Sequence, residues 1–179
     1  MFWQVFNNTP LDLPQKSSIH FFKRGVKPLW EDPRNLHGGA WTFRIPSSYA
    51  PAFFREVLML LIGEQLQDAI TPSAASTTPT LSYASRTPIS AIRPLNDDIC
   101  GATYSSRFNT YLVQIWHRDA SNARSVHAIY ERVMGVVPGD VVERVKVYYK
   151  KHHEHKDFKR VGSEGEGSAG GVVGMTRMM

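Results

Sequence analysis

The sequence predicts an α+β fold, an antiparallel sheet with its helices gathered on one face. Three observations predict it. The patterned segments follow in the order helix, strand, strand, helix, two strands, helix, strand. The strand-like segments are short and are neighbours along the chain, which suits antiparallel pairing with the helices collected on one side. No internal repeat is present, which suits a single domain.

Each element has its own warrant. Residues 1–8 read as the last turns of an amphipathic helix, with Phe2, Trp3 and Phe6 at helical spacing, ended by Pro10 and Pro14. Residues 18–23 are short and aromatic and suit a strand. Residues 24–39 contain two prolines, Gly25 and the Gly38-Gly39 pair, and read as a loop. Residues 41–45 alternate as a strand that Pro46 stops. Ser48 is the expected cap of a helix reaching about Leu66. Phe54, Leu58, Leu61 and Gln65 define one face of it, yet Val57, Met59, Leu60 and Ile62 are apolar too. Such a helix is either deeply buried or docks a partner on its second face.

Residues 71–95, rich in Ser, Thr, Ala and Pro, read as a disordered insertion. Residues 99–105 and 112–116 form a hairpin around Arg107-Phe-Asn-Thr110. Ser121 is the expected cap of a third helix with Val126, Ile129, Tyr130 and Val133 inward, stopped by Gly135. Residues 141–149 read as the last strand. Residues 1–150 thus form one domain, and 151–179 a flexible basic, then Gly/Ser-rich, tail.

The 179 residues suffice for one domain with a core. The composition, 42% hydrophobic and 21% charged, is that of a soluble chain. A net charge of +5 favours an anionic partner only weakly, because the Lys and Arg residues are dispersed. The single cysteine, Cys100, excludes an intrachain disulfide and points to a reducing compartment. The longest apolar run, residues 57–62, is too short to span a bilayer, and the start has no signal-peptide pattern. The expected location is the cytoplasm, with the nucleus also open, and no membrane partner.

Trp30-Glu31 carries the most chemistry. An aromatic plate beside a carboxylate in a Pro/Gly-rich loop fits guanine: the base stacks on the indole while the carboxylate accepts from N1–H and the exocyclic amine. Methylation at N7 makes the base cationic and strengthens its attraction to an aromatic face. Taken alone, the dipeptide reads first as a loop anchor with a solvated acid.

The run Lys27-Pro-Leu-Trp-Glu-Asp-Pro-Arg-Asn-Leu-His-Gly-Gly-Ala-Trp41 resembles the cap-contact loop of the eukaryotic translation initiation factor 4E family. Leu61-Ile-Gly-Glu64 resembles the end of that family's dorsal helix. Asp98-Ile-Cys-Gly-Ala102 and the stretch from Arg107 to Trp116 resemble its strand pair. Arg107-Phe108, Leu112 and Gly63-Glu-Gln65 lean toward the class II branch, the 4E homologous proteins. The resemblance covers residues 1–70 and 96–149 and implies a curved antiparallel sheet with helices on the convex face. It also implies binding of the 7-methylguanosine cap of messenger RNA and a role in regulating translation initiation, without catalysis or cofactor. Trp30 would stack on the base, Glu31 read its donors, Trp116 pack near the N7-methyl and Arg107 contact the phosphate bridge. Read from the residues alone, Trp116 is equally a strand-core indole and Arg107 a solvated hairpin charge.

A protein partner carrying a Tyr-x-x-x-x-Leu helix, an initiation scaffold or a repressor, is implied at Trp3, Glu56, Met59 and Gly63. Arg55 stands there where the family usually has an apolar residue. Three departures temper this picture. The family's second stacking aromatic and its first two strands lie upstream of the helix containing Trp3, where this chain starts, so weak cap binding and reduced stability are expected. Ala40 and Leu112 replace residues that are often basic. The alternative is therefore an interaction protein that keeps the dorsal face with weak or no cap binding. His152, His153 and His155 with Glu154 lack Cys partners, and a solvated tail is expected in place of a metal site. No Gly-x-Ser-x-Gly elbow, phosphate-binding loop or dinucleotide fingerprint is present.

Overall fold

The computed structural model describes residues 6–70, 98–156 and 158. Its strands are β1 (Ser18–Phe22), β2 (Gly39–Ile45), β3 (Ile99–Arg107), β4 (Thr110–His117) and β5 (Lys146–Lys151). They form one antiparallel sheet in the order β1-β3-β4-β2-β5. Around it lie α1 (Ala50–Ile62), α2 (Gln65–Ile70), α3 (Ala123–Met134), the single turn α4 (Gly139–Val142) and a 3-10 turn, His152–Glu154. The α+β class and the antiparallel sheet are as expected.

Strand periodicity divides the sheet into two unlike faces. Phe43 and Ile45 on β2, Ala102 and Tyr104 on β3, and Val113 and Ile115 on β4 all enter the core beneath α1 and α3. Trp41 shares that face, and its indole N–H donates to the Val126 carbonyl at 2.7 Å, pinning α3 to the sheet. The opposite face carries polar rungs. Ser18 and Ser105 hydroxyls meet at 2.8 Å, His20 Nδ1 and Thr103 Oγ1 at 3.0 Å, and Gln114 Nε2 donates to Thr42 Oγ1 at 3.2 Å.

Several boundaries move. In α1, Phe53, Phe54, Val57, Leu58 and Leu60 are buried, whereas Met59 and Ile62 remain exposed. This helix therefore combines a buried face with a partly apolar outer one. It stops at Ile62, because Glu64 takes a left-handed φ of 54° and α2 begins a new axis. Ser48 is not its cap: position Tyr49 makes no side-chain cap bond, and Pro46 O accepts from the Tyr49 and Ala50 N–H groups instead. The cap of α3 is Asn122, whose Oδ1 accepts from Ser125 N at 3.1 Å, while the Ser121 hydroxyl turns back to Asp119. Residues 141–149 are not one strand. Pro138 launches α4, which buries Val141, and β5 then runs to Lys151, past the expected end of the ordered domain. The expected helix ending at Asn8 lies outside the described residues apart from its close at Phe6, whose carbonyl accepts from Thr9 N. The expected insertion at 71–95 and most of the tail also lie outside them.

Candidate nucleic-acid interface

The loop between β1 and β2 is organised by two side chains that sequence reasoning passed over. Asp32 accepts from the Lys27 and Arg34 N–H groups through its two oxygens, each at 3.0 Å. The fully buried Asn35 donates to Lys27 O at 2.8 Å and to Leu29 O at 2.7 Å. Both belong to turn-forming residue types whose short polar side chains substitute for backbone partners. They clamp the backbone on either side of Trp30 and Glu31, which emerge half-buried from the loop.

Trp30 packs against a small cluster of Val26, Ala40, Cys100 and Trp116, separate from the main core. Trp116 is 5% exposed, so it forms the floor of this region. Phe22 meets it edge-on at 5.4 Å. A register shift between Ile99 and Gly101 inserts Cys100 here. Thus Trp30, Glu31 and Trp116 gather at one end of the sheet.

Arg107 does not join them. It closes the β3–β4 hairpin opposite Thr110, six residues along β4 from Trp116, which is roughly 20 Å of strand. Its guanidinium donates to the Ser106 carbonyl at 2.8 Å. A nearer cation is Lys150, which pairs with Ala40, itself paired with Trp116. Lys150 therefore lies on Trp116's face of the sheet two strands away, roughly 10 Å. Reading 151–179 as tail, with the last strand ending at Tyr149, concealed it. The missed signal was the β-alternation of Val147, Tyr148, Tyr149 and Lys150, which runs on to Lys151.

The histidines depart most from expectation. The solvated tail predicted for them is overturned at His152, which is fully buried with its ring 4.5 Å from Trp116. The turn is held because His152 N–H donates to Gly38 O at 3.0 Å, joining it to the end of the Trp30 loop. His155 stacks on Trp30 with centroids 4.1 Å apart and planes 14° from parallel. His153 and Glu154 point outward, as a solvated segment would.

Burial, and then the neighbouring His117, His155 and His153, depress the His152 pKa to about 3, so its ring is neutral at physiological pH. Neither ring nitrogen of His152, nor the Trp116 indole N–H, has a protein hydrogen-bond partner among the described residues, the bond to Gly38 being made by the His152 backbone N–H. Beneath them, buried His117 shares a 2.8 Å hydrogen bond between Nε2 and the Tyr149 hydroxyl and sets Nδ1 3.8 Å from Asp98. Burial, with Asp98 adding to it, raises the Tyr149 hydroxyl above the ordinary tyrosine range, so it stays protonated. This buried chain ties the ends of β4 and β5 together.

The second expected surface is only partly in view. Glu56 and Met59 lie exposed on the outer side of α1 and Gly63 at its end, beside Arg55 and Ile62. Trp3 lies outside the described residues.

Comparisons with known proteins agree with this arrangement. The model of the eukaryotic initiation factor 4E family matches residues 1–165. The chain is 32% identical over 121 residues to the translation initiation factor NCBP of Arabidopsis thaliana, covering 68% of this chain and 42% of that protein. With initiation factor 4E-4 of Caenorhabditis elegans it shares 28% identity over 155 residues, 86% of this chain and 59% of the relative. The chain thus spans about half the length of the curated relatives it matches. Among solved structures, a complex of C. elegans eIF4E-3 with the 4E-binding protein Mextli and a cap analogue matches with a TM-score of 0.65 at 24% identity, over 89% of this chain and 78% of that one. Ascaris suum eIF4E-3 with the m7G cap matches at 0.62 and 23%, over 89% and 77%. At these identities the structural likeness speaks to the fold.

Proposed function

The chain belongs to the eukaryotic initiation factor 4E family, and from that premise we propose that it binds the 7-methylguanosine cap of messenger RNA and regulates translation initiation in the cytoplasm. The observation that carries the reading is the Trp30-Glu31 pair, held by the Asp32 and Asn35 clamps against the Trp116 floor. The base stacks on Trp30, its positive charge drawn to the indole face, a contact worth roughly 1–3 kcal/mol. Glu31 accepts from the two guanine donors on the Watson–Crick edge, and the methyl group lies toward the His152–Trp116 ring pair.

The phosphates extend along the polar face of the sheet. Lys150 meets them first and Arg107 lies further on, so the charge missing at Ala40 is supplied by the residue paired with it. Nothing in this reading calls for catalysis. The exposed side of α1, with Glu56, Met59 and Gly63, receives a partner helix of the Tyr-x-x-x-x-Leu kind: Glu56 takes a backbone donor, and Met59 and Ile62 cover its apolar residues.

Tryptophan fluorescence on titration with 7-methylguanosine diphosphate tests the cap reading. Quenching that disappears in Trp30→Ala, together with loss of preference over unmethylated guanosine diphosphate in Glu31→Ala, is the expected result. A folded chain that shows no quenching at millimolar ligand returns the protein to a partner-binding role on α1 alone.

A further inference from the structure

We propose that His155 is an intramolecular stand-in for the base, seated on the Trp30 face and displaced when the cap enters; this rests on the cap-binding reading. The geometry is that of a bound ring. At 4.1 Å and 14° from parallel, the imidazole leaves no space for a purine between itself and the indole. An imidazole is also the five-membered half of a purine.

The position matches as well as the ring. His155 lies 6.5 Å from His152, which lies 4.5 Å from Trp116, so the rings step from Trp30 through His155 and His152 to Trp116. His155 thus links Trp30 to the His152–Trp116 ring pair, the region assigned above to the base and its methyl group.

The contact is built in, not incidental. His155 N–H donates to His152 O at 3.1 Å and Phe158 N–H to His155 O at 3.1 Å. The Glu154 carboxylate accepts from Lys151 N–H at 3.2 Å, closing the turn. Through the bond from His152 N–H to Gly38 O, the strap is fastened to the loop that presents Trp30. The entering base must break the imidazole–indole stack, while His152 keeps the strap anchored. Cap affinity is thereby set lower than the Trp30-Glu31 pair alone would give.

The test uses the full chain, His155→Ala, the outward-facing control His153→Ala, and Trp30→Ala, each titrated with 7-methylguanosine diphosphate. Removing the competing stack is expected to tighten binding about three- to tenfold in His155→Ala, with His153→Ala unchanged and Trp30→Ala inert. In parallel, the ring protons of His155 should resonate upfield under the indole ring current in the free chain, and return to ordinary positions as ligand saturates. Equal or weaker binding by His155→Ala, or a ring-current shift that persists at saturation, overturns the stand-in while the cap reading survives. Failure of both the parent chain and His155→Ala to bind overturns the two together.

Discussion

The two hydrophobic clusters of this molecule are built on opposite rules. Beneath the helices, Phe54 stacks on Tyr104 at 4.7 Å and Tyr104 on Tyr111 at 5.0 Å, and the Tyr104 hydroxyl donates to Leu11 O at 3.1 Å. That cluster buries apolar surface and gives its polar atoms partners. At the end of the sheet, the rings around Trp116 bury an indole N–H and two imidazole nitrogens without protein partners among the described residues, and leave Trp30 half open. A region that retains such costs is organised for something other than stability. The comparison teaches where the fold is made and where it is used.

The sharpest way to break the comparison is to damage the first cluster. Phe54→Ala removes a ring that is 1% exposed and should cost about 3–5 kcal/mol. Urea denaturation should place its midpoint far below the parent's, with the cap-analogue response lost only through unfolding.

Acid tests the second cluster. The folded-state pKa of His152, about 3, lies below its ordinary 6.5, so between those values the unfolded chain binds the proton that the folded chain refuses. The stability this ring contributes is complete above pH 6.5 and falls as pH drops toward 3, by about 1.4 kcal/mol per unit at most. His152→Phe fills a similar volume and cannot titrate. The parent's denaturation free energy, measured at pH 7, 5.5 and 4.5, should fall relative to that of His152→Phe as pH falls. A constant difference would show that this ring is already solvated in the folded chain.

Gly38→Ala probes the joint between loop and strap. A methyl group there would overlap the His117 carbonyl oxygen, so backbone must move. An expected loss of about 1–3 kcal/mol should come with weaker ligand quenching, because Trp30 and the strap share this anchor. Smallest is Asn122→Ala, which removes the α3 cap far from the rings and should cost about 1 kcal/mol with ligand affinity unchanged.

The α+β class, the strand pair β3–β4 and the Trp30-Glu31 loop were legible in the sequence because local patterns specify them: alternation, turn residues, and an aromatic beside an acid among Pro and Gly. Helix ends were less legible. Glu64 breaks the apolar run that predicts a longer helix, and Asn122 takes a cap that Ser121 could equally have supplied. The residues after Tyr149 were misread because their composition is polar and basic.

By itself, then, the sequence determined the periodicities that sort side chains to two faces of a sheet, and the chemistry carried by one loop. Only the tertiary structure decided that β5 pairs with β2. That pairing brings Lys150 beside Ala40, buries His152 against Trp116 and lays His155 on Trp30. Local pattern reports which way a residue points along its own strand. Which strand lies next to it depends on contacts between residues more than a hundred positions apart, and those contacts exist only once the chain has folded.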